Sequence, residues 1–304
     1  MISRRFRAAG GETIWFCAGA GLRRIPNGKG RHILDAGKKE EGVLARRQRV
    51  KDAFAEYTSQ YDNSDGKIKL KVDHTYRVAA LCERIARSLG LSIEDTELAW
   101  VIGMLHDVGR FEQLRQYGTF SDEDSIDHAQ YGVQILFRER KIFDYLPITE
   151  DEEAYQIIRT AIWNHNAYRI EEGLSDREEL FCNILRDGDK IDILKVNHDI
   201  PIEIIYDTSI EKVKNEMVTP EVMEQFFERH AVLRATKRTC IDSIVGHAAL
   251  VFELVFDESL KIVKEQGYLD KLLNFESDNP AAQKQFMQLR RCMASYLEQR
   301  MIDN

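Results

Sequence analysis

Residues 92–110 read SIEDTELAWVIGMLHDVGR. Ser92 with Asp95 three positions on is a variant of the capping box, so a helix starts there. The helix runs through Trp100, Val101, Met104 and Leu105 to the adjacent pair His106-Asp107, with Gly109 as its stop. A buried carboxylate is costly unless it is paired or metal-bound. An aspartate beside a histidine, directly after so apolar a run, therefore asks for a cation. A turn at the helix end lets both side chains face one point.

Upstream, residues 72–89 place Val78, Leu81, Cys82, Ile85 and Leu89 on one face, with Gly90 at the C-terminal cap. His74 opens this helix. The short connection at residues 90–92 makes the two helices antiparallel neighbours, which brings His74 toward His106. Downstream, residues 110–127 are polar and irregular and read as a loop or lid that shapes specificity. Residues 126–137 read as helix. His128 is in register with Gly132, Ile135 and Leu136, so it faces the core, and Gly132 would leave room for an ion or substrate.

Thr149-x-x-Glu152 is a second capping signal and opens a helix to about His165. The register of Ile157, Ile158, Ala161 and Ile162 puts His165 on the buried face, and Asn164 and Asn166 flank it as candidates to orient its ring. Ser175-x-x-Glu178 is a third capping box, opening a helix through Asp189 to about Val196. Within Arg186-Asp187-Gly188-Asp189-Lys190-Ile191-Asp192 three acids alternate with apolar residues and cannot all be solvated. Asp189 is in register with Leu185 and Ile193, Asp187 with Ile184 and Ile191. Spacing alone does not choose between them.

Further helices are expected at 220–239, 241–266 and 286–301, and no internal repeat is visible. The predicted class is all-α: a single helical domain with additional C-terminal helices. Residues 1–48 are Gly- and Arg-rich without sustained amphipathic period, and read as a basic, disordered extension or as leader ahead of a later true start. The main domain is expected at 49–275 and a helical tail at 276–304.

Composition narrows the function classes. With 43% hydrophobic and 31% charged residues among 304, this is an ordinary globular balance. The five cysteines, Cys17, Cys82, Cys182, Cys240 and Cys292, are scattered with no CxxC pair. That argues against a disulfide framework or a thiolate zinc site and for a reducing compartment. No apolar run approaches the ~18 residues of a membrane span, and residues 13–21 are too short and broken for a signal-peptide core, so a cytoplasmic location is expected. The first fifty residues hold 12 Lys+Arg against 4 Asp+Glu; the remainder holds 31 against 47. An acidic body does not favour long nucleic acids as partners.

The chain has eight histidines, and four of them, His74, His106, His128 and His165, fall in this helical series with Asp107 and Asp189. Imidazole with carboxylate is the ligand set of a transition-metal site. The series His74, His106-Asp107 in LHDVGRF and Asp189 in RDGDKID resembles the HD-domain metal-dependent phosphohydrolases. His128 in SIDHAQYG and His165 in WNHN match the subset with two additional histidines and a two-metal site. The resemblance covers roughly residues 50 to 275. It implies the helical HD fold, and Asp189, the acid directly before Lys190, as the ligand rather than Asp187.

By that resemblance His74, His106, Asp107 and Asp189 would hold one divalent ion. His128 and His165, with Asp107 as a bridge, would hold a second roughly 3.5–4 Å away. Asp107, Arg110 and Lys190 are the candidate catalytic residues, with Arg115 a further candidate to hold phosphate. Manganese, iron, cobalt, nickel and magnesium all fit such donors, because His/Asp sites select weakly. The substrate implied is a nucleotide or other small phosphorylated molecule, split as a monoester or diester. The cyclic-dinucleotide branch carries a doubled histidine followed by a GYP motif, whereas His165 stands alone before Asn166-Ala167-Tyr168, which argues against that branch. Two other readings share the ligand series: a di-iron oxygenase, separable by turnover without oxygen, and a non-catalytic nucleotide sensor, separable by ligand binding that survives metal loss. Homo-oligomers could form through exposed helices after Pro220.

Overall fold

The computed structural model describes residues 29–147, 152–203 and 208–302. The chain divides into two units, Met1–Arg49 and Val50–Asn304. Of the expected extension at 1–48, residues 1–28 lie outside the described residues, and α1 (Lys29–Thr58) begins directly after them. The Thr149 capping signal also lies outside them. All regular structure among the described residues is helical.

Helices α2 (Gly66–Ser88) and α3 (Ile93–Leu105) form the antiparallel pair that the short connection required. The Ser92 hydroxyl accepts the Asp95 N–H at 3.0 Å and starts α3. Gly90, at φ 68°, turns the chain out of α2 in a conformation that costs a glycine little. The two helices touch where side chains are smallest: a Cβ on Gly103 would lie 2.6 Å from Ala79 Cα. Ala79 with Gly103, and His74 with His106, are near-symmetric pairs about the turn, so the spacing set by one brings the other together.

Past the His106-Asp107 turn the structure departs from expectation. Residues 110–117 of the expected loop belong instead to α4 (Val108–Tyr117), and Gly109 does not stop a helix but sits inside one. Val108, Phe111 and Leu114 are buried at helical spacing, and this apolar stripe outweighs the polar residues between them. The loop proper is the stretch from Gly118, at φ 69°, to Asp127.

Helix α5 (His128–Val133) continues as a wide π-helical turn over Gln134–Arg138, followed by α6 (Ile142–Tyr145) and α7 (Glu152–Asn164). A Cβ on Gly109 would stand 2.2 Å from the His128 carbonyl oxygen and 2.7 Å from Gly132 N. Gly132 in turn faces Gly109 N, at 3.4 Å from where its own Cβ would be. The expectation that Gly132 leaves room for an ion is therefore corrected: the glycines let α4 and α5 approach backbone to backbone.

Helix α8 (Asp176–Asp199) packs on α2 and α7. Ser175 and Glu178 form the full capping box at its start. Gly188 lies against Cys82, a Cβ there meeting Sγ at 3.0 Å.

The C-terminal part comprises α9 (Ile210–Asn215), α10 (Pro220–Phe227), α11 (Cys240–Ala249), α12 (Asp257–Gln266), α13 (Tyr268–Leu273) and α14 (Pro280–Ile302). The helix expected over 220–239 ends at Phe227, with Arg229 left-handed at φ 62°. The helix expected over 241–266 is interrupted after residue 249, where Leu254 and Phe256 turn into extended backbone. Phe286, Leu289, Met293 and Tyr296 of α14 are buried in the same apolar cluster as Val50, Leu105 and Ile158. Each such side chain contributes on the order of 1.5–3 kcal/mol by leaving water.

Candidate metal centre

The series spread over 116 positions of sequence converges on one carboxylate. Asp107 follows α3 and is buried. Its Oδ2 lies 3.5 Å from His74 Nε2 and 3.5 Å from His106 Nε2. Its Oδ1 lies 3.5 Å from His128 Nε2 and 3.8 Å from His165 Nε2. Asp189 Oδ1 joins the first pair, 3.1 Å from His74 Nε2 and 3.8 Å from His106 Nε2. Two groups of donors close enough for one ion each, His74-His106-Asp107 and Asp107-His128-His165, thus share Asp107.

All four rings are anchored by the other nitrogen. His74 Nδ1 meets Asp192 Oδ2 at 2.6 Å, and His106 Nδ1 meets the Gly103 carbonyl at 2.8 Å. His128 Nδ1 meets Asp122 at 2.8 Å, and His165 Nδ1 meets the Ile162 carbonyl at 2.6 Å. Carbonyls and carboxylates only accept, so each Nδ1 donates, and in the neutral ring Nε2 is left with a bare lone pair. Burial pushes the His106 and His128 pKa values down to about 4, which keeps those rings neutral. The bare Nε2 atoms of His106 and His128 then face His74 Nε2 at 3.3 Å and His165 Nε2 at 2.9 Å. When both rings of such a pair are neutral, two lone pairs meet and cannot hydrogen-bond. A cation between them is the partner that this donor set fits, with carboxylate and carbonyl outer partners of the kind that fix metal-binding imidazoles.

The electrostatics agree. Burial opposes charge on Asp107, but Lys71 and His106 hold its carboxyl well below the usual range. Lys71 Nζ is 2.7 Å from Asp107 Oδ2. Burial likewise opposes ionisation of Asp189, and His74 overcomes it.

Arg110 donates from Nη1 to Gln113, to the Phe120 carbonyl and to Asp122. Its Nε is buried without a hydrogen-bond partner among the described residues, 3.7 Å from Asp107 Oδ1. Lys190 lines the same cleft, of about 640 Å³, and makes a 3.4 Å contact with the Glu253 carbonyl; burial pushes its pKa down to about 8. Arg115 is not brought to the site. It pairs with Glu112 at 2.5 Å and covers the Tyr61 ring at the surface. A second groove of about 780 Å³, along residues 126–138 and α7, touches none of the six converging residues.

Asp187 points away. It accepts the backbone N–H groups of Val255 and Phe256 at 3.0–3.1 Å, just ahead of α12. Asn164 and Asn166 make no hydrogen bond to the His165 ring among the described residues. Asn164 accepts the Glu171 N–H, and Asn166 reaches Asp122 and Asp127.

Four participants escaped sequence reasoning. Asp192 could have been found as the acid three positions beyond Asp189, on the same helix face. Arg186 donates to the carbonyls of Asn164 and Ala167, at 2.7 and 2.5 Å, and clamps the turn that carries His165. Asp122 and Lys71 left no signal, because each is a common surface type in a polar stretch.

The 3'3'-cGAMP-specific phosphodiesterase 1 of Vibrio cholerae serotype O1 is similar to this chain, 24% identical over 91 residues. The match covers 27% of this chain and 21% of that protein, so the chain spans about a fifth of its relative's length. No solved structure matches. The family model described as HD domain matches residues 72–248, more than half of the chain, and includes all six converging residues. The chain belongs to the HD domain family.

Proposed function

We propose that this protein is a metal-dependent phosphohydrolase that cleaves a phosphate ester in a nucleotide or another small phosphorylated molecule. The observation that carries the reading is Asp107, with each carboxylate oxygen facing its own pair of histidine Nε2 atoms. In this reading His74, His106, Asp107 and Asp189 hold one divalent ion, and Asp107, His128 and His165 hold another. Such ions supply, when bound, a water acidic enough to attack near neutral pH and positive charge for the phosphoryl oxygens.

The protein's own groups do the rest. Asp192, Asp122 and the carbonyls of Gly103 and Ile162 fix the four rings, so the donors need no reorganisation. Arg110, with a free Nε–H beside Asp107, orients the phosphate, and Lys190 adds a cation next to Asp189. Manganese is the first ion to supply, because His/Asp donors accept it and it acts as a Lewis acid when bound.

The test is phosphate or nucleotide release from a panel of nucleotides, generic phosphomonoesters and diesters, and 3'3'-cGAMP, with manganese added. Wild type is compared with Asp107→Asn. Metal-dependent release that the substitution abolishes supports the reading. No release from any substrate by folded, metal-loaded protein refutes it.

A further inference from the structure

The cleft beside the six residues is walled in part by residues 231–235, Lys237 and His247. Lys237 lies across Gly246: a Cβ at that glycine would stand 2.6 Å from Lys237 Nζ and 2.5 Å from its Cε. A methyl group at 246 would displace the end of the lysine side chain from this position. The ammonium makes no hydrogen bond and no ion pair within 4 Å among the described residues. The acid that acts on it, Asp242, is already committed, accepting the N–H groups of Thr219, Arg238 and Thr239. Burial, with Arg234 nearby, pushes the Lys237 pKa down. A half-buried ammonium that is partly desolvated and given no counter-charge is stabilised when an anion joins it.

Other charges of the cleft do not fill that role. Glu253 accepts the Ala231 N–H at 2.9 Å and faces Arg169 at 3.7 Å. Glu123 faces Arg234 at the rim, at 3.9 Å. Lys71 is paired with Asp107, Arg186 is spent on backbone carbonyls and Lys190 contacts the Glu253 carbonyl; Arg110 beside Asp107, and Lys237 with Arg234, offer further positive charge at two places in the same cleft. A volume of about 640 Å³ suits a ligand of nucleotide size.

We infer that the substrate carries a second anionic group, of phosphate type, and that Lys237 with Arg234 forms the subsite that binds it. The inference rests on reading the six residues as the site that takes the first phosphate. The substrate class is therefore a small molecule with two separated phosphates.

The experiment is a molecular ruler. Alkane bisphosphonates from ethane-1,2 to hexane-1,6 and their matched alkyl monophosphonates are titrated calorimetrically into the full chain loaded with manganese. One bisphosphonate length is expected to bind about tenfold more tightly than its monophosphonate, as befits one added charge-assisted contact. In Lys237→Met that advantage disappears while monophosphonate affinity stays unchanged, which also shows that the variant is folded; Lys237→Arg retains part of the advantage. The subsite is overturned if no length outperforms the monophosphonate in wild type, or if Lys237→Met keeps the preference. Monophosphonate binding in either case leaves the phosphohydrolase reading standing. Absence of binding by every phosphonate overturns both.

Discussion

Asp187 and Asp189 stand two residues apart on α8 and serve different parts of the molecule. Asp187 accepts the N–H groups of Val255 and Phe256, while Asp189 Oδ1 stands 3.1 Å from His74 Nε2. Two residues along a helix turn a side chain by about 200°, so neighbouring acids face opposite sides. Asp189→Asn is expected to abolish metal-dependent turnover with little change in melting temperature. Asp187→Ala strands the buried Phe256 N–H and the partly exposed Val255 N–H, at a cost of roughly 1–3 kcal/mol. Thermal melts and turnover on the same preparations check the pair; the reverse pattern would reject the assignment.

Gly109 sets the approach of α4 to α5, and with it the place of His128. Gly109→Ala puts a methyl group 2.2 Å from the His128 carbonyl oxygen, where backbone has to move. The expected result is destabilisation of a few kcal/mol and at least a tenfold loss of turnover. Metal content per chain should fall as well. Wild-type values in all three would show that the helices have slack.

Arg186 acts through the turn it clamps. Arg186→Met leaves the carbonyls of Asn164 and Ala167 without their donor and frees His165 to tilt. Loss of a supporting partner of this kind costs about 10–100-fold in metal affinity or activity. Metal titration should show the second equivalent weakened while the first holds. Equal weakening of both would place the effect in global stability instead.

Metal-stripped protein is expected to lose stability in acid. Burial holds the pKa of His106 and His128 at about 4 and that of His247 at about 3, below the ordinary value of 6.5. The unfolded chain therefore binds protons that the folded chain refuses. Stability is full above about pH 6.5 and falls as pH drops toward 4, by about 1–2 kcal/mol per histidine at pH 5. His74 runs the other way: Asp189 and Asp192 outweigh burial and Lys71 and raise it, so its contribution is present below its ordinary value and lost as pH rises. Three depressed rings against one raised leave a net acid loss. Urea midpoints at pH 7.5 and pH 5 on chelator-treated protein measure it, and a midpoint that rises in acid would contradict the burial argument.

The helical class, the starts at Ser92 and Ser175, the turn at Gly90 and the candidates His74, His106, Asp107, His128 and His165 were legible because each rests on short-range chemistry. A hydroxyl caps the N–H three residues on, a glycine takes positive φ, and apolar spacing names the buried face. The α4 helix was misread because its apolar stripe is only three residues long, at Val108, Phe111 and Leu114. The break after Ala249 is not legible because what holds it is distant: Asp187 takes the Val255 and Phe256 N–H groups that a continuous helix would have used.

The sequence by itself determined which residue types bear the chemistry and which helix faces they occupy, since both follow from periodicity and from the cost of burying charge. Local spacing left open which of Asp187 and Asp189 turns to the histidines; tertiary structure turns Asp189 there, and it alone decided that Asp192, Asp122 and Arg186 hold those histidines in place. These relations join positions 22 to 118 residues apart or reach out of a loop, and no local rule of propensity or spacing encodes a contact at that range.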